Sequence, residues 1–204
     1  MTTQTAAVDD PLEEFVHGQV MRLWHDYSAD RADAVATLAR LRRTFPHGGE
    51  VAPESFELFE RGFPTELAGR GDGPSPAELA VAASLALYAF HQQSRRSAAA
   101  HRRGGQYAVG RAAGVLRTRT NPQGVERRLQ VMIRATSVVP LLEHLRSFVS
   151  LLRTHDVPLD YARLARDLAA AHSPAGLRGV RMRWSRDFYR PRSPETQPTP
   201  GDPA

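Results

Sequence analysis

The sequence predicts an all-α protein of about nine helices with no significant β-sheet. Apolar residues recur at three- and four-residue spacing through almost all of residues 10–190, which is the periodicity of amphipathic helices. Stretches that alternate with a period of two, as half-buried strands do, are nearly absent beyond Val180, Met182 and Trp184. Helix-capping signals stand before several of the periodic segments, so two independent indications agree.

The first half of the chain begins with a clear helix-start signal. Asp10 can cap a helix through its side chain, and Pro11 then occupies the first helical position, where its missing N–H costs nothing. The apolar stripe of this helix consists of Leu12, Phe15, Val16, Val20, Leu23 and Trp24. A second helix is predicted over 30–45, and a short one over 54–61.

A capping box opens the most apolar segment of the chain. Ser75 and Glu78 have the spacing at which each side chain can accept a hydrogen bond from the other residue's backbone N–H. Pro76 again stands at the first helical position. The helix that follows, 78–93, is apolar nearly all round, so we expect it to be central and buried.

The apolar periodicity predicts further helices in the second half of the chain. They are expected over 107–118, 123–135, 138–154, 159–172 and 177–189. Gly110 and Gly114 lie four residues apart and predict a small-residue face that lets two helices approach closely. Across the chain, the residues expected to be mostly buried are Tyr88, Phe90, Leu145, Phe148, Leu164, Leu168, Trp184 and Phe188.

Composition divides the chain into two small helical bundles. We predict an acidic bundle over 10–93, a basic connector over 94–106 and a basic bundle over 107–190. Residues 1–9 and the Pro-rich segment 191–204 have little apolar surface to bury and are predicted to be disordered. The sequence has no long apolar run, no signal-peptide pattern and no cysteine. These features indicate a cytoplasmic protein that does not enter a membrane.

Charge is distributed very unevenly along the chain. All 27 basic residues are arginine. Residues 1–90 hold 7 arginines and 14 acidic residues, whereas residues 91–192 hold 20 arginines and 6 acidic residues. The second half is therefore suited to a polyanion and the first half repels one. The alternative is that the two halves neutralise each other, or that the arginines form a solvated face.

Helical projection places arginines opposite the predicted core faces. On the helix over 123–135, Arg127 and Arg134 lie opposite the apolar face, with Arg128 to one side. Guanidinium groups bind phosphate in a bidentate manner and are weakly hydrated, so this surface fits a nucleic-acid backbone. The candidate nucleic-acid-binding residues are Arg95, Arg96, Arg102, Arg103, Arg111, Arg117, Arg119, Arg127, Arg128, Arg134, Arg163 and Arg166.

The sequence lacks the motifs of common enzymes and metal sites. Residues 105–110 match the spacing of a phosphate-binding loop, but Arg111 follows instead of lysine and no strand precedes them. The eight histidines form no metal-binding motif. We therefore predict no catalytic residue, no metal and no cofactor. Asp160, Asp167 and Asp187 lie among arginines and are expected to form salt bridges.

Three segments carry a recognisable family pattern. They are LALYAFHQQS at 85–94, VERRLQVMIRATSVVPLLEHLRSFVSLLRTHDVPLDYARLARDL at 125–168, and RWSRDFYR at 183–190. Together they resemble the CasB family, which is the small subunit of the type I-E CRISPR surveillance complex, Cascade. The resemblance covers about half of the chain, and its strongest parts are PLDYARLARDL and the terminal WSRDFY.

The resemblance implies an all-helical protein of two small bundles without catalytic activity. It implies two copies beside the guide-RNA backbone subunits and the large subunit, holding the opened target and the displaced strand in antiviral defence. The expected partners are therefore guide RNA, target DNA and other Cascade subunits, including a second copy of this chain. In guided complexes base pairing reads the sequence, so such a subunit needs backbone contacts only.

A free-standing helical transcription regulator that binds DNA is the alternative function. Such a protein would need a recognition helix in a helix-turn-helix pair, and usually its own dimer. The sequence has no compact helix, glycine turn and helix with polar base-reading residues, and its arginines extend over several helices.

Overall fold

A computed structural model describes residues 10–46, 51–52, 55–57 and 61–190. The longer α-helices of these residues are α1 (Pro11–Ser28), α2 (Ala32–Arg43), α3 (Pro76–Gln92), α4 (Val109–Leu116), α5 (Pro122–Arg134), α6 (Val138–Thr154), α7 (Tyr161–Ala171) and α8 (Pro174–Tyr189). Short 3₁₀ turns occupy Thr65–Leu67 and Gly105–Tyr107. The described residues contain no β-strand, and one isolated bridge joins His101 and Leu159. The all-α prediction is confirmed.

The predicted caps are present at the starts of α1 and α3. Asp10 Oδ1 accepts a hydrogen bond from the Leu12 backbone N–H at 2.9 Å. At α3, Ser75 Oγ accepts from the Glu78 N–H at 3.1 Å, and the Glu78 carboxylate accepts from the Ser75 N–H at 2.6 Å. These bonds satisfy N–H groups that have no partner inside the helix. Side chains also cap α5, α7 and α8, and they belong to Asn121, Asp160 and Ser173.

Several helix boundaries differ from the prediction for local reasons. Helix α2 begins at Ala32 and not at residue 30, because Asp30 adopts a left-handed backbone with φ of 58°. Helix α4 is shorter than predicted, because a 3₁₀ turn occupies Gly105–Tyr107. Helix α8 begins earlier than predicted, at Pro174. The predictions for 1–9 and 191–204 fall outside the described residues, whereas residues 55–57, the described part of the short helix predicted over 54–61 apart from residue 61, are helical.

Helix α3 is the central element of the fold, as its composition predicts. Thirteen of its 17 residues are buried, and it packs against α1, α2, α6 and α7. Helix α7 also packs against α1, although it comes from the second half of the chain. The separation into two bundles at 94–106 stays a prediction, and α7 forms a direct contact between the two halves of the sequence. No helix of the described residues is long and apolar enough to cross a membrane.

Most of the predicted core positions are buried. Seven of the eight have at most 2% of their surface exposed, and these are Tyr88, Leu145, Phe148, Leu164, Leu168, Trp184 and Phe188. Phe90 is the exception, because it lies at the edge of the core and is only partly buried. The guanidinium groups of Arg146 and Arg153 cover its ring, at 5.3 Å and 5.8 Å from the ring centroid.

The small-residue face on α4 has the predicted role. A Cβ added at Gly110 would lie 2.2 Å from the backbone oxygen of Trp184 on α8, which is closer than any side chain tolerates. One turn later, a Cβ at Gly114 would lie 3.6 Å from the oxygen of Phe188, an ordinary contact distance. Gly110 therefore permits the close approach of α4 and α8, which carries Trp184 and Phe188 into the core.

Candidate nucleic-acid interface

Helix α5 presents a face of arginines to solvent. Its apolar residues Val125, Leu129 and Met132 are buried, so residues on the opposite side of the helix point outward. Arg127, Arg128 and Arg134 are exposed. Within the described part of the chain they have no hydrogen-bond or ion-pair partner. Three uncompensated positive charges therefore lie within two turns of one helix.

A cleft lies beside two of these arginines, between α5 and α6. It has a volume of about 310 Å³, and its lining consists of Gly124, Arg127, Arg128, Val131, His144 and Ser147. This lining contains cationic, hydroxyl and imidazole groups but no acidic residue. The nearest acid along α5, Glu126, instead accepts a hydrogen bond from the Tyr189 hydroxyl at 2.7 Å. An anion in the cleft would therefore meet donors and positive charge.

The candidate arginines on and after α4 contact backbone carbonyls or an aromatic ring. Arg111 donates to the Arg190 carbonyl at 3.0 Å, and Arg119 donates to the His155 carbonyl at 2.7 Å. The Arg117 guanidinium lies 4.9 Å from the centroid of the Phe188 ring. The contacts of Arg117 and Arg119 orient their guanidinium groups without supplying a formal negative charge.

Four other candidate arginines contact carboxylates. Arg95 pairs with Asp156 at 2.9 Å, and Arg96 pairs with Asp30. Arg103 pairs with Glu14 on α1, with Arg103 Nη1 donating to Glu14 Oε2 at 3.0 Å. Arg166 Nη1 lies 2.5 Å from the Oε1 of Glu13, also on α1. Three of the four carboxylates come from the acidic first half, so here the two halves neutralise each other.

The remaining two candidates, Arg102 and Arg163, stand close to these pairs. Arg102 is exposed, and its guanidinium lies 6.0 Å from the centroid of the Tyr107 ring. The Arg163 Nη1 lies 3.9 Å from the point where a Cβ on Gly105 would stand. Neither guanidinium has a carboxylate partner among the residues that the structure describes.

The three aspartates predicted to form salt bridges differ in role, and Asp187 forms none with the described residues. Asp167 forms the predicted salt bridge, because its Oδ1 lies 2.7 Å from Arg183 Nη2. Its other oxygen accepts from the Trp184 indole N–H, also at 2.7 Å. For Asp160 the salt-bridge prediction is wrong, because its carboxylate accepts from the backbone N–H groups of Gly104 and Arg163. Asp160 is therefore the cap of α7.

The connector 94–106 is fixed to the core by hydrogen bonds from three directions. From the end of α3, the Gln92 side chain accepts from the Ala100 N–H at 2.8 Å and donates to the Ala98 carbonyl at 3.1 Å. From the start of α7, the Leu159 N–H donates to the Ala100 carbonyl at 3.0 Å. From α1, His17 Nδ1 lies 2.9 Å from His101 Nε2. The connector arginines are therefore held on an ordered segment.

Hydrogen bonding defines the tautomers of two connector-region histidines. The Tyr161 backbone N–H donates to His101 Nδ1 at 3.1 Å, so the neutral His101 ring carries its proton on Nε2 and donates to His17. Arg95 Nη1 donates to His91 Nε2 at 3.4 Å, so His91 donates through Nδ1 to the Tyr161 hydroxyl at 2.9 Å. Both arrangements require an uncharged imidazole.

Burial keeps these two histidines neutral. Burial, with a smaller contribution from the neighbouring charges of Arg95 and Arg153, lowers the pKa of His91 to about 3. Burial also lowers the pKa of His101 to about 4, although the Asp160 carboxylate acts in the opposite direction. Burial raises the pKa of the Tyr161 hydroxyl between them, so the whole group is uncharged near neutral pH.

Sequence reasoning did not identify the acidic partners or the cleft residues. Glu13 and Glu14 stand in the first turn of α1, and nothing in their local pattern shows which arginine they meet about 90 residues or more later in the chain. His144 and Ser147 were not candidates either, because they face the cleft only through the packing of α6 on α5. No group of three or more metal-ligating side chains occurs in the described residues.

The described residues form an all-helical protein with two kinds of arginine region. The arginines of α5 are exposed, whereas several arginines of the connector and α7 are neutralised by carboxylates. The sequence profile of the family described as CRISPR-associated protein Cse2 matches residues 37–189. This match covers most of the chain, so the chain belongs to the Cse2 family, whose solved members are also called CasB. Comparison with curated proteins gives no match.

Solved structures agree with the family assignment. CasB from Thermobifida fusca is 32% identical, with a TM-score of 0.71 over 89% of this chain and 99% of that one. CasB from Thermus thermophilus is 26% identical, with a TM-score of 0.63 over 88% and 98% of the two chains. A chain of a CRISPR RNA-guided surveillance complex is 24% identical, with a TM-score of 0.64 over 87% and 93%, and this likeness supports the fold.

Proposed function

We propose that this protein is a non-enzymatic, nucleic-acid-binding small subunit of a type I-E CRISPR Cascade. In this role it holds the opened target DNA and its displaced strand against the complex through arginine–phosphate contacts. The family membership supports a place in a CRISPR complex. The partners would be guide RNA, target DNA and the other subunits, including a second copy, the backbone subunits and the large subunit.

The observation that carries the proposal is the uncompensated arginine face of α5. Arg127 and Arg134 lie two turns apart on the exposed side, and Arg128 stands at the edge of the α5–α6 cleft. The rise of a helix puts residues seven apart at about 10 Å, which is about three times the axial spacing of about 3.4 Å between phosphates of one strand in a duplex. A backbone lying along α5 would therefore meet guanidinium groups at compatible intervals.

A double substitution tests this proposal directly. Arg127→Ala/Arg134→Ala should weaken the hold on a matched target and flatten the plot of log affinity against log salt by about 1 to 1.5 units, since each single-strand phosphate contact contributes about 0.7. The assay uses the assembled complex. Because phosphate carries no base identity, the loss should be similar on targets of different sequence.

The matched control is Arg22→Ala/Arg43→Ala. It removes the same charge from two exposed arginines of α1 and α2, in the acidic half. We expect it to leave the affinity and the salt dependence almost unchanged. Normal assembly of the Arg127→Ala/Arg134→Ala protein with unchanged target affinity and an unchanged slope would contradict a phosphate-binding role for α5.

A free-standing transcription regulator remains the second candidate function. It requires specific affinity of the isolated protein for a duplex site, with base contacts from a recognition helix. The arginines of α5 lie along one exposed helix face, where guanidinium groups can bind the phosphate backbone without reading bases. Sequence-selective duplex binding by the isolated chain would favour the regulator.

A further inference from the structure

The second cationic region of the protein lies where the connector meets α7, and α1 contacts two of its arginines. Arg102 and Arg103 precede the Gly104–Gly105 pair of the connector, and Arg163 and Arg166 lie one turn apart on α7. We call these four residues the connector patch. Arg163 reaches toward Gly105, and Arg103 and Arg166 both reach the first turn of α1.

We propose that the first turn of α1 acts as a built-in phosphate mimic: Glu13 and Glu14 occupy the connector patch, and a nucleic-acid strand displaces them to bind there. This inference rests on the proposed function and adds to it a second, competitively masked phosphate-binding site.

The contact between Glu14 and Arg103 has the geometry of a phosphate contact. Both oxygens of the carboxylate face the guanidinium, with Nη1 donating to Oε2 at 3.0 Å and Nη2 contacting Oε1. This parallel arrangement is the one that a guanidinium forms with two oxygens of a phosphate. The same two N–H groups cannot serve both partners, so carboxylate and phosphate compete.

The Arg103–Glu14 pair is accessible enough to exchange, whereas Glu13 of the second pair has a side chain that is only 12% exposed. The side chains of Arg103 and Glu14 are each 40% exposed, and that of Arg166 is 36% exposed. Ion pairs at this exposure add little net stability, because water solvates the separated charges well. The Glu13 oxygen nearest Arg166 is buried and receives no aligned hydrogen bond from any described residue, so this pair rests on charge alone.

Neighbouring hydrogen bonds hold Glu13 and Glu14, in the first turn of α1, in position over the connector patch. His17, one turn after Glu13, is hydrogen-bonded to His101 of the connector at 2.9 Å. Asp10 caps α1 immediately before the two glutamates, which the positive end of the helix dipole also favours. The turn thus keeps the arginines preorganised and opposes weak, non-specific anion binding.

The experiment compares two double variants of the full chain with a labelled single-stranded DNA oligonucleotide at low ionic strength. Glu13→Gln/Glu14→Gln removes the two negative charges of the proposed mimic and keeps side chains of nearly the same shape. The matched control is Asp26→Asn/Glu57→Gln, which removes equal charge and breaks two exposed pairs of the first half, Arg31–Asp26 and Arg40–Glu57. Thermal unfolding of each variant verifies that it is folded.

The test variant should bind about five- to tenfold more tightly than the control, with a salt slope steeper by about 1.4 units, the contribution of two phosphate contacts. Adding Arg103→Ala/Arg166→Ala to the test variant should abolish the gain in oligonucleotide affinity, because the two acids are proposed to act through these two arginines. Equal binding by test and control variants, or a gain that survives the arginine substitutions, overturns the inference.

The experiments distinguish failure of the proposed mimic from failure of the proposed function. If only the mimic is wrong, the two acid variants bind alike, while Arg127→Ala/Arg134→Ala still weakens target binding by the complex. If the proposed function is wrong, that α5 variant has no effect in the complex. Absence of oligonucleotide binding by every variant, including the wild-type chain, overturns the inference as well.

Discussion

The arginines of α5 and those of the connector patch both belong to the basic second half of the chain but have different environments. On α5, Arg127, Arg128 and Arg134 extend from a helix whose neighbours in the described residues offer them no carboxylate. At the connector patch, Arg103 and Arg166 meet Glu14 and Glu13 from α1. The first region is a free cationic face, and the second is partly neutralised.

This contrast shows that regional net charge does not define a binding surface. Both regions belong to the basic second half of the chain. The difference arises because α7 packs against α1, whereas α5 packs against α4, α6 and α8. Packing of the connector and α7 against α1 brings Glu14 and Glu13 within reach of Arg103 and Arg166.

The largest expected effect is a loss of folding stability in acid, which acts through the two buried histidines beside the connector. The folded-state pKa values of His91 and His101 are about 3 and 4, below the ordinary value of 6.5. The unfolded chain therefore binds more protons between pH 6.5 and 4, and stability present above pH 6.5 is lost as the pH falls. At about 1.4 kcal/mol per pKa unit, we expect a loss of several kcal/mol in urea unfolding experiments at pH 7 and 4.

Histidine variants identify the source of that acid sensitivity. His91→Gln should flatten the dependence of the unfolding free energy on pH, because it removes the most strongly shifted group. His25→Gln, which replaces an imidazole that is 82% exposed, is the control substitution for the loss of one histidine. Equal pH profiles for His91→Gln and the wild-type chain would show that the buried network is not responsible.

The core substitution Leu168→Ala tests whether the two regions unfold together. Leu168 is fully buried on α7, the helix that joins α1 and α3 to α8. Its truncation should cost roughly 2–5 kcal/mol, the range for a packed leucine. One cooperative unfolding transition would mean that both regions form a single unit, whereas two transitions would support separate bundles. A cost below about 0.5 kcal/mol would contradict the core assignment.

Single arginine substitutions give the smallest expected effects and compare the two regions directly. Arg166→Ala leaves Glu13, whose side chain is only 12% exposed, without its cation, so we expect a loss of about 1 kcal/mol in unfolding free energy. Arg134→Ala on α5 removes an exposed and unpaired side chain and should change stability by less than about 0.5 kcal/mol. Equal losses in chemical denaturation would remove the energetic distinction between the two regions.

The sequence by itself determined the helices and their inward faces. The caps at Asp10 and Ser75 and the glycine at 110 depend on local spacing, so they could be predicted. The same holds for the outward direction of the α5 arginines, because helical periodicity alone sets the exposed face once the apolar face is buried.

The tertiary structure alone decided which arginines are neutralised. Glu14 meets Arg103, and His17 meets His101, across 89 and 84 residues of sequence. No local pattern records such pairings, since they depend on how α1, the connector and α7 pack together. Asp160 also became a helix cap because the chain turns there beside Gly104. Local periodicity therefore sets which way a side chain points, and packing sets what it meets.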